Sequence, residues 1–555
     1  MKTINKILAF IGIGVMALGT GSCVNDLDLM PSDPSQITPG NFPDDPMGYM
    51  DRVLADVYLS FAVHGPNNNS QVHDFDGGMS TFQRAIFNLE ELPTDETCWL
   101  STDDAPMNAL SFGPVSAENR AVFGAYSRLM INVALCNDFI QSVNNNLFGL
   151  KTEEHYAEAE ECVRECKILR SACYFYLINF FGNVPYADEH LGMGKVAPQI
   201  DRADAFDRVT RTLEEVVEQY NTTPGKARYG FVGKDVAQGL LVKFYLNAEV
   251  FTGTPRWADC VRVANDLIAA HKGPGFKGSG LAHHYLQNFA ANNNQLAIGG
   301  TNPVNEILWV IPEEYPSLKS YGGSTVMLLG WINPDLATNY FNAGNGWRCM
   351  VAMEQFSRKM AWSDAECTTS NDERLANWRT SKNGFAIENP TLNQSDYETN
   401  GYLAVKLRNY NMDDNGNYDL SFRPPFNKDD YVSCDWPMLR LSEIYLSAAE
   451  AMLHGAGSPV DALAYVNLIR ERAGLDAWQQ SDLSLETLQD ERCRELYTEC
   501  TRRTDLIRYG KWCTGYTWNW KNGVASGADY PEYFKLYAFP PEVVSQAGYK
   551  QNPNY

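Results

Sequence analysis

After residue 22 the chain has no apolar run long enough to span a bilayer, which takes about 20 consecutive apolar residues. It also has no excess of positive charge, because 45 Lys and Arg stand against 68 Asp and Glu. The resulting net charge of −23 excludes nucleic acid or anionic lipid as the main partner. The eight histidines form no HExxH motif and there is no CxxC pair, so no zinc site is predicted.

Signatures of common catalytic sites are also missing. There is no GxSxG, no P-loop, and no GxGxxG placed after a strand. A glycosidase needs only two carboxylates about 5–10 Å apart, and nothing in the sequence selects such a pair. The chain is therefore expected not to be an enzyme, and a surface glycoside hydrolase remains the alternative.

One segment resembles a calcium loop. It is Asn411–Asp419 (NMDDNGNYD), but Tyr418 occupies the position where an EF-hand requires glycine. An Asn-Gly turn in a β-hairpin explains the same residues more simply. No cofactor or metal is predicted, and the sequence leaves a structural calcium elsewhere open.

The N-terminus has the pattern of a bacterial lipoprotein. A short basic region precedes the apolar stretch Ile7–Leu18, small residues follow, and Cys23 comes next. Thr20 departs from the pattern, since leucine is commonest there. Residues 1–22 are predicted to be a signal peptide, Cys23 the lipidation site, and 23–46 an extended tether. The alternative is a plain signal peptide with an incidental cysteine.

Twelve further cysteines follow Cys23 and match no compact disulfide framework. Cys162 and Cys166 are spaced i,i+4, and Cys493 and Cys500 are spaced i,i+7. Both pairs are predicted to face a core as small apolar groups.

Apolar residues at helical spacing form two blocks, approximately 119–271 and 436–512. The paired helices with short Gly/Pro turns resemble tetratricopeptide units. We therefore predict a mainly α fold, a TPR-like helical-repeat scaffold in one domain, 47–555. The predicted helices include Asn119–Asn144, Lys151–Phe181, Ala203–Tyr220, Lys234–Phe251, Trp257–His271, Val460–Ala473 and Leu485–Tyr509.

Two segments, approximately 62–118 and 275–435, lack long helical periodicity. They are rich in Gly, Asn, Pro and aromatic residues and contain short strand-like pieces such as Glu306–Pro312. We predict that they are large irregular insertions displayed on the helical scaffold, where binding residues tend to lie.

Several motifs, in order along the chain, resemble the SusD/RagB family of Bacteroidetes outer-membrane lipoproteins. Cys500 and Asn554 replace glycines of the family pattern, and both positions concern the scaffold. The acidic and basic residues of RRTDLIR (Arg502, Arg503 and Asp505) are expected to pair across adjacent helices and to have no chemical role. The motifs are Glu165–Asp188, Leu439–Leu453, Leu468–Leu475, Asp490–Trp512 and Ala538–Tyr555.

The resemblance implies a lipid-anchored protein at the cell surface of the outer membrane. Members of the family bind oligosaccharides and act as a lid over a SusC-like TonB-dependent barrel, which imports the ligand. A minority handle peptides, so a peptide-binding member is a further alternative.

A sugar ring stacks on aromatic side chains, and its hydroxyls bond to Asp, Asn and Arg. The abundant aromatics (12 Trp, 29 Tyr and 26 Phe) suit such a ligand, although most of them are expected in the core. The candidate ligand-binding residues come from the two insertions: Asp74, Asp76, Arg84, Trp99, Tyr321, Trp331 and Trp347.

Overall fold

The computed structural model describes residues 45–65, 78–192, 194–226, 228–298, 304–360, 363–379, 400–422 and 431–555. Cys23 and the predicted signal peptide lie outside these ranges. Within them, no helix combines the length and the apolar character needed to cross a bilayer.

Helices dominate the described chain and are numbered in chain order. They are α1 (Pro46–Ala62), α2 (Phe82–Glu90), α3 (Ala105–Phe112), α4 (Arg120–Asn144), α5 (Glu153–Phe181), α6 (Arg202–Thr222), α7 (Lys234–Leu246), α8 (Ala248–Thr252), α9 (Trp257–His271), α10 (Gln295–Ile298), α11 (Gly323–Leu329), α12 (Pro334–Leu336), α13 (Glu354–Met360), α14 (Asp364–Thr369), α15 (Leu441–Ala451), α16 (Pro459–Arg472), α17 (Leu485–Leu496), α18 (Arg502–Arg508) and α19 (Pro541–Ala547).

Short strands form two-stranded antiparallel ladders in which β1 pairs with β5, β2 with β3, and β4 with β6. The first ladder joins the two predicted insertions, and the third joins the central insertion to the second helical block. The strands are β1 (Thr97–Trp99), β2 (Val184–Pro185), β3 (Gln199–Ile200), β4 (Ile307–Ile311), β5 (Met350–Ala352) and β6 (Trp436–Arg440).

Neighbouring helices pack as successive pairs, because each has one apolar face that it cannot bury alone. The two helical blocks meet where α9 packs against α15. The packed pairs are α4 with α5, α5 with α6, α6 with α7, α7 with α9, α9 with α15, and α15 with α16.

Local signals set the helix ends. The Asn119 side chain accepts hydrogen bonds from the first amides of α4, and the Thr152 hydroxyl does the same at α5. Gly182, with φ of 73°, ends α5 in a conformation that favours glycine. The helices in this part of the chain therefore begin and end within two residues of the prediction.

The predicted helix Leu485–Tyr509 is wrong as one element, because the chain breaks between α17 and α18. Thr498 and Cys500 adopt left-handed backbone conformations, with φ of 63° and 62°. The predicted helix Lys234–Phe251 is also interrupted, at Asn247, whose side chain bonds to the Lys243 carbonyl and accepts from Arg508.

The break after α17 is occupied by acidic side chains from residues 90–96. These carboxyl groups are at most 2 % exposed and accept from the broken turn. The Arg502 guanidinium also forms a two-bond pair with Asp95, at 2.7 and 2.8 Å. The backbone bonds are Thr504 to Glu90 (3.0 Å), Thr501 to Glu91 (2.9 Å) and Thr498 to Glu96 (3.1 Å).

This packing corrects the description of 62–118 as an irregular insertion displayed outward. Residues 79–100 are buried almost throughout and contribute α2 and β1 to the core. The cysteine prediction is confirmed, since Cys162, Cys166, Cys493 and Cys500 are all buried and unbridged.

A second buried ionic cluster lies at the Arg440 end of the β4–β6 ladder. The Arg440 guanidinium contacts Glu306 at 2.8 Å, Glu495 at 2.9 Å and Glu499 at 2.5 Å. Arg472 contacts the first two of these glutamates as well, at 2.9 and 2.5 Å. Burial raises the pKa of Glu306, but the guanidinium groups of Arg472 and Arg440 more than reverse this, so its pKa lies below the ordinary value.

The raised pKa values of Glu91 and Glu96 predict that these two groups contribute less to stability as the pH rises, the opposite of Glu306, whose pKa is lowered. Burial and the neighbouring Glu96 carboxyl raise the pKa of Glu91 well above 4.5, and burial raises the pKa of Glu96 to about 7. Between pH 4.5 and 7 the folded state therefore holds more protons than the unfolded state, so these groups stabilise less as the pH rises. The amide of Glu91→Gln is uncharged at every pH, like the protonated acid. We therefore expect this variant to be more stable than the parent at pH 8 by about 1–3 kcal/mol.

Urea unfolding at pH 5, 6, 7 and 8 measures the difference between the two proteins. The exposed Glu118→Gln variant is the matched control and should follow the parent at every pH. Parallel pH curves for Glu91→Gln and the parent would contradict the assignment of a raised pKa to this pair.

Candidate functional site

Aromatic side chains from three connecting segments meet beside the β4–β6 ladder. The segment between β4 and α11 supplies Tyr315 and Tyr321, the segment before β5 supplies Trp347, and the segment before β6 supplies Tyr431. We call these four side chains the aromatic cluster.

The rings of the aromatic cluster are arranged in layers. Tyr321 stacks on Tyr431 with ring centroids 4.7 Å apart and an interplanar angle of 26°. Tyr431 stacks in turn on Tyr315, at 6.0 Å and 14°, and Trp347 lies 6.0 Å from Tyr321. Tyr321 is 36 % exposed and Trp347 is partly exposed, whereas Tyr315 and Tyr431 are buried behind them. The outer rings therefore offer an apolar face to a ligand.

A cationic group lies beside these rings. The Lys319 ammonium lies 5.0 Å from the Tyr431 ring centroid and 5.6 Å from that of Tyr315. Its three N–H donors are the kind of group that bonds to sugar hydroxyls or carboxylates.

The first insertion reaches the cluster through closely packed backbone. A Cβ on Gly78 would lie 2.7 Å from the Gly322 nitrogen, and one on Gly322 would lie 1.9 Å from the Thr81 hydroxyl. Only glycine permits this approach, so residues 78–81 lie directly against the backbone that carries Tyr321.

The structure divides the predicted ligand-binding residues into three groups. Tyr321 and Trp347 belong to the aromatic cluster, and their role as ligand contacts stays a prediction. Trp331, Trp99 and Arg84 are core residues, at 1 %, 2 % and 3 % exposure. Asp74 and Asp76 lie outside the described residues.

The burial of Trp99 and Arg84 has a clear local cause. Trp99 lies in β1, its indole N–H donates to Asp104, and the Arg84 guanidinium lies 4.6 Å from its ring centroid. One face of the ring is thus occupied by protein, and neither side chain presents a surface to a ligand. We correct the prediction for these two residues and for Trp331 accordingly.

Sequence reasoning missed Tyr315, Lys319 and Tyr431. The first two share the aromatic and Pro/Gly-rich stretch that contains Tyr321, so the density of such residues was an available signal. Tyr431 is brought to the cluster by the pairing of β6 with β4, and its local sequence gives no comparable signal.

The hairpin prediction for Asn411–Asp419 is confirmed. Met412 pairs with Tyr418, and the Asp413 carboxylate accepts from the amides of Asn415 and Asn417 at 2.9 and 2.8 Å. In the described ranges, no group of three or more His, Cys, Asp or Glu is arranged to hold a metal ion.

Two acidic side chains, Glu313 and Asp435, lie behind the aromatic cluster. They are 2 % and 5 % exposed, and their oxygens accept hydrogen bonds from protein groups. A glycosidase carboxyl must reach the glycosidic oxygen or the anomeric carbon, which buried and occupied groups cannot do. Glu313 and Asp435 are therefore not placed to act as a glycosidase pair.

Comparison with known proteins shows which family the chain resembles. The model of the SusD family matches residues 325–555. The chain is 28 % identical to the starch-binding protein SusD of Bacteroides thetaiotaomicron, over 100 % of this chain and 99 % of that protein. The chain is thus similar to the SusD family, in the family model over residues 325–555 and in this relative over its whole length. SusD-like protein P25 of Formosa agariphila is 24 % identical over 63 % of this chain and 64 % of its own length.

Solved structures share the SusD-family fold. Surface glycan-binding protein A from Bacteroides thetaiotaomicron, in complex with laminarihexaose, matches with a TM-score of 0.64 at 20 % identity, over 92 % of this chain and 100 % of that one. A SusD superfamily protein from Bacteroides vulgatus matches with a TM-score of 0.65 at 17 % identity, over 92 % and 99 %. The predicted resemblance to the SusD family and the mainly helical fold are confirmed.

The two roles assigned to tryptophan predict different stabilities. Trp331→Ala removes a ring from the core and should lower the free energy of unfolding by about 3–5 kcal/mol. Trp347→Ala should cost clearly less, because that ring already contacts water. Urea unfolding monitored by far-UV circular dichroism measures both, and equal losses would contradict the placement of Trp331 in the core and Trp347 at the surface.

Proposed function

We propose that this protein is a non-catalytic glycan-binding lipoprotein of the outer-membrane surface. It captures oligosaccharides and delivers them to a SusC-like TonB-dependent barrel. The observation that carries the proposal is the exposed Tyr321 and Trp347 pair, in a chain related over its whole length to a starch-binding protein.

Binding would use the two surfaces of a sugar ring. The axial C–H face packs on the outer rings of the aromatic cluster, and the equatorial hydroxyls accept from or donate to polar groups at its edge, Lys319 among them. Because Tyr315 and Tyr431 back the outer ring, Tyr321 is held in place before the ligand arrives, which lowers the entropic cost of binding.

Confinement between the protein and a barrel would raise the effective concentration of a captured oligosaccharide at the entrance of the transporter. The predicted lipid anchor at Cys23 supports this arrangement, since it would keep the protein at the membrane that holds the barrel.

The proposal predicts that Tyr321→Ala and Trp347→Ala each weaken oligosaccharide binding by about tenfold or more, a loss of about 1.4 kcal/mol. Isothermal titration calorimetry against maltoheptaose, laminarihexaose and a wider glycan panel measures this. Tyr156→Ala is the matched control, since Tyr156 is an exposed tyrosine on α5, at 43 % exposure, and should bind like the parent.

Three outcomes would count against the proposal in different ways. Release of reducing ends from the panel would favour the glycoside hydrolase. Binding of peptides and of no glycan would favour the peptide-binding alternative. Unchanged affinity in both variants would contradict the placement of the site.

The anchor and the partner are tested together in cells. The native protein should carry fatty acyl chains and copurify from the membrane fraction with a TonB-dependent barrel, whereas Cys23→Ala should lose acylation and leave that fraction. Mass spectrometry of the N-terminal peptide and of the copurified proteins provides the measurement. An unacylated native protein in the periplasmic fraction would contradict the proposal.

A further inference from the structure

The Glu313 carboxyl group connects the end of β4 to the beginning of α11. Glu313 follows β4 by two residues, and its Oε1 accepts from the Ser324 amide at 2.7 Å. A Cβ on Gly323, which has φ of +56°, would lie 1.5 Å from this oxygen, so only glycine admits the carboxyl here. Tyr315 and Tyr321 lie on the chain between these two fixed points.

Asp435 connects the segment before β6 to Glu313 at the end of β4. It precedes β6, and its Oδ1 accepts from the Glu313 amide at 2.7 Å. Its Oδ2 accepts from the Tyr229 hydroxyl at 2.5 Å, and its backbone is bonded in both directions to the Asn293 side chain. The segment that carries Tyr431 is thereby fixed to β4.

Thr325 links the two segments a second time. Its hydroxyl lies 3.5 Å from Glu313 Oε2 and accepts from the Val432 amide at 3.4 Å. Trp347 joins the same unit because its amide donates to the Leu329 carbonyl at the end of α11, at 2.7 Å. Every member of the aromatic cluster is therefore connected to α11, to Glu313 or to Asp435.

These two acids have no ionic partner in the described part of the chain, unlike those around Arg440. Burial raises the pKa of Glu313 well above its ordinary value and that of Asp435 to about 6, and no lysine or arginine offsets either. Placing carboxyl groups here is unfavourable unless hydrogen bonds compensate. Two of these bonds, from the Ser324 amide to Glu313 and from the Glu313 amide to Asp435, fix the ends of segments that carry the cluster.

We propose that Glu313 and Asp435 are positioning residues, which hold the aromatic cluster in its ligand-facing arrangement without touching the ligand. The role of these residues in ligand binding rests on the proposed function. Their role in fixing the arrangement of the aromatic cluster does not. The Tyr229 hydroxyl is the outer end of this hydrogen-bonded chain.

Hydrogen–deuterium exchange of the full-length mature protein tests the structural part without any glycan. In Glu313→Ala the amides at 323–326, in the first turn of α11, should exchange about tenfold faster, because the carboxyl that accepts from the Ser324 amide is gone. Glu313→Gln has the shape of the protonated acid and should stay within about twofold of the parent. Glu314→Ala changes the exposed neighbouring glutamate and is the matched control.

Calorimetry with maltoheptaose and laminarihexaose tests the functional part. Glu313→Ala should lower the affinity for whichever probe the parent binds by about tenfold, and Glu313→Gln should restore it. Unchanged exchange at 323–326 in Glu313→Ala overturns the inference, and so does faster exchange with unchanged affinity. If the parent binds no glycan, the proposed function fails while the exchange result still decides whether these acids position the cluster.

A milder variant keeps the test decisive if Glu313→Ala does not fold. Tyr229→Phe removes a single hydroxyl, so the Asp435 carboxyl is less well fixed and the Glu313 amide should exchange about threefold faster. Exchange equal to that of the parent at this amide overturns the inference.

Discussion

The guanidinium group of Arg440, which has no access to water, determines where the β4–β6 ladder lies. It ends β6, pairs with Glu306 immediately before β4, and reaches Glu495 on α17 and Glu499 beyond that helix. Removing one partner of such a pair leaves a buried charge uncompensated, which is strongly destabilising. The central insertion is therefore fixed to the second helical block at this point. The segments that carry Tyr315, Tyr321 and Tyr431 adjoin the opposite end of the ladder, where Ile311 pairs with Trp436.

The two ends of that ladder have opposite electrostatics. At the Arg440 end, Arg472 and Arg440 overcome the effect of burial and lower the pKa of Glu306, so the acid is stabilised as a carboxylate. At the other end, burial raises the pKa of Glu313 and Asp435, and their bonds within the described residues are hydrogen bonds to uncharged groups. The first end provides stability over a wide pH range. The second provides a defined geometry for the segments that carry Tyr315, Tyr321 and Tyr431.

The helical scaffold could be predicted because its signal is local. Apolar periodicity, the caps Asn119 and Thr152, and Gly182 determine α4 and α5 within two residues. The break between α17 and α18 had no such signal, since the periodicity of Leu485–Tyr509 continues through it. Thr498 and Cys500 become left-handed in a turn whose amides bond to carboxyl groups some 400 residues earlier, and such pairing cannot be read from a window of sequence.

The same distinction explains why the sequence did not separate the buried tryptophans from the partly exposed one. Trp99, Trp331 and Trp347 all lie in irregular, aromatic-rich stretches, and composition gives each the same meaning. Pairing of β1 with β5 places Trp99 opposite Met350 inside the core, while Trp347, three residues before β5, is still outside the ladder and partly exposed. A shift of a few residues relative to a three-residue strand thus decides whether a ring is buried in the core or partly exposed. Carboxyl groups of residues 90–96, just before this strand, accept from the turn after α17, so the position of the strand depends on tertiary contacts that no local motif records.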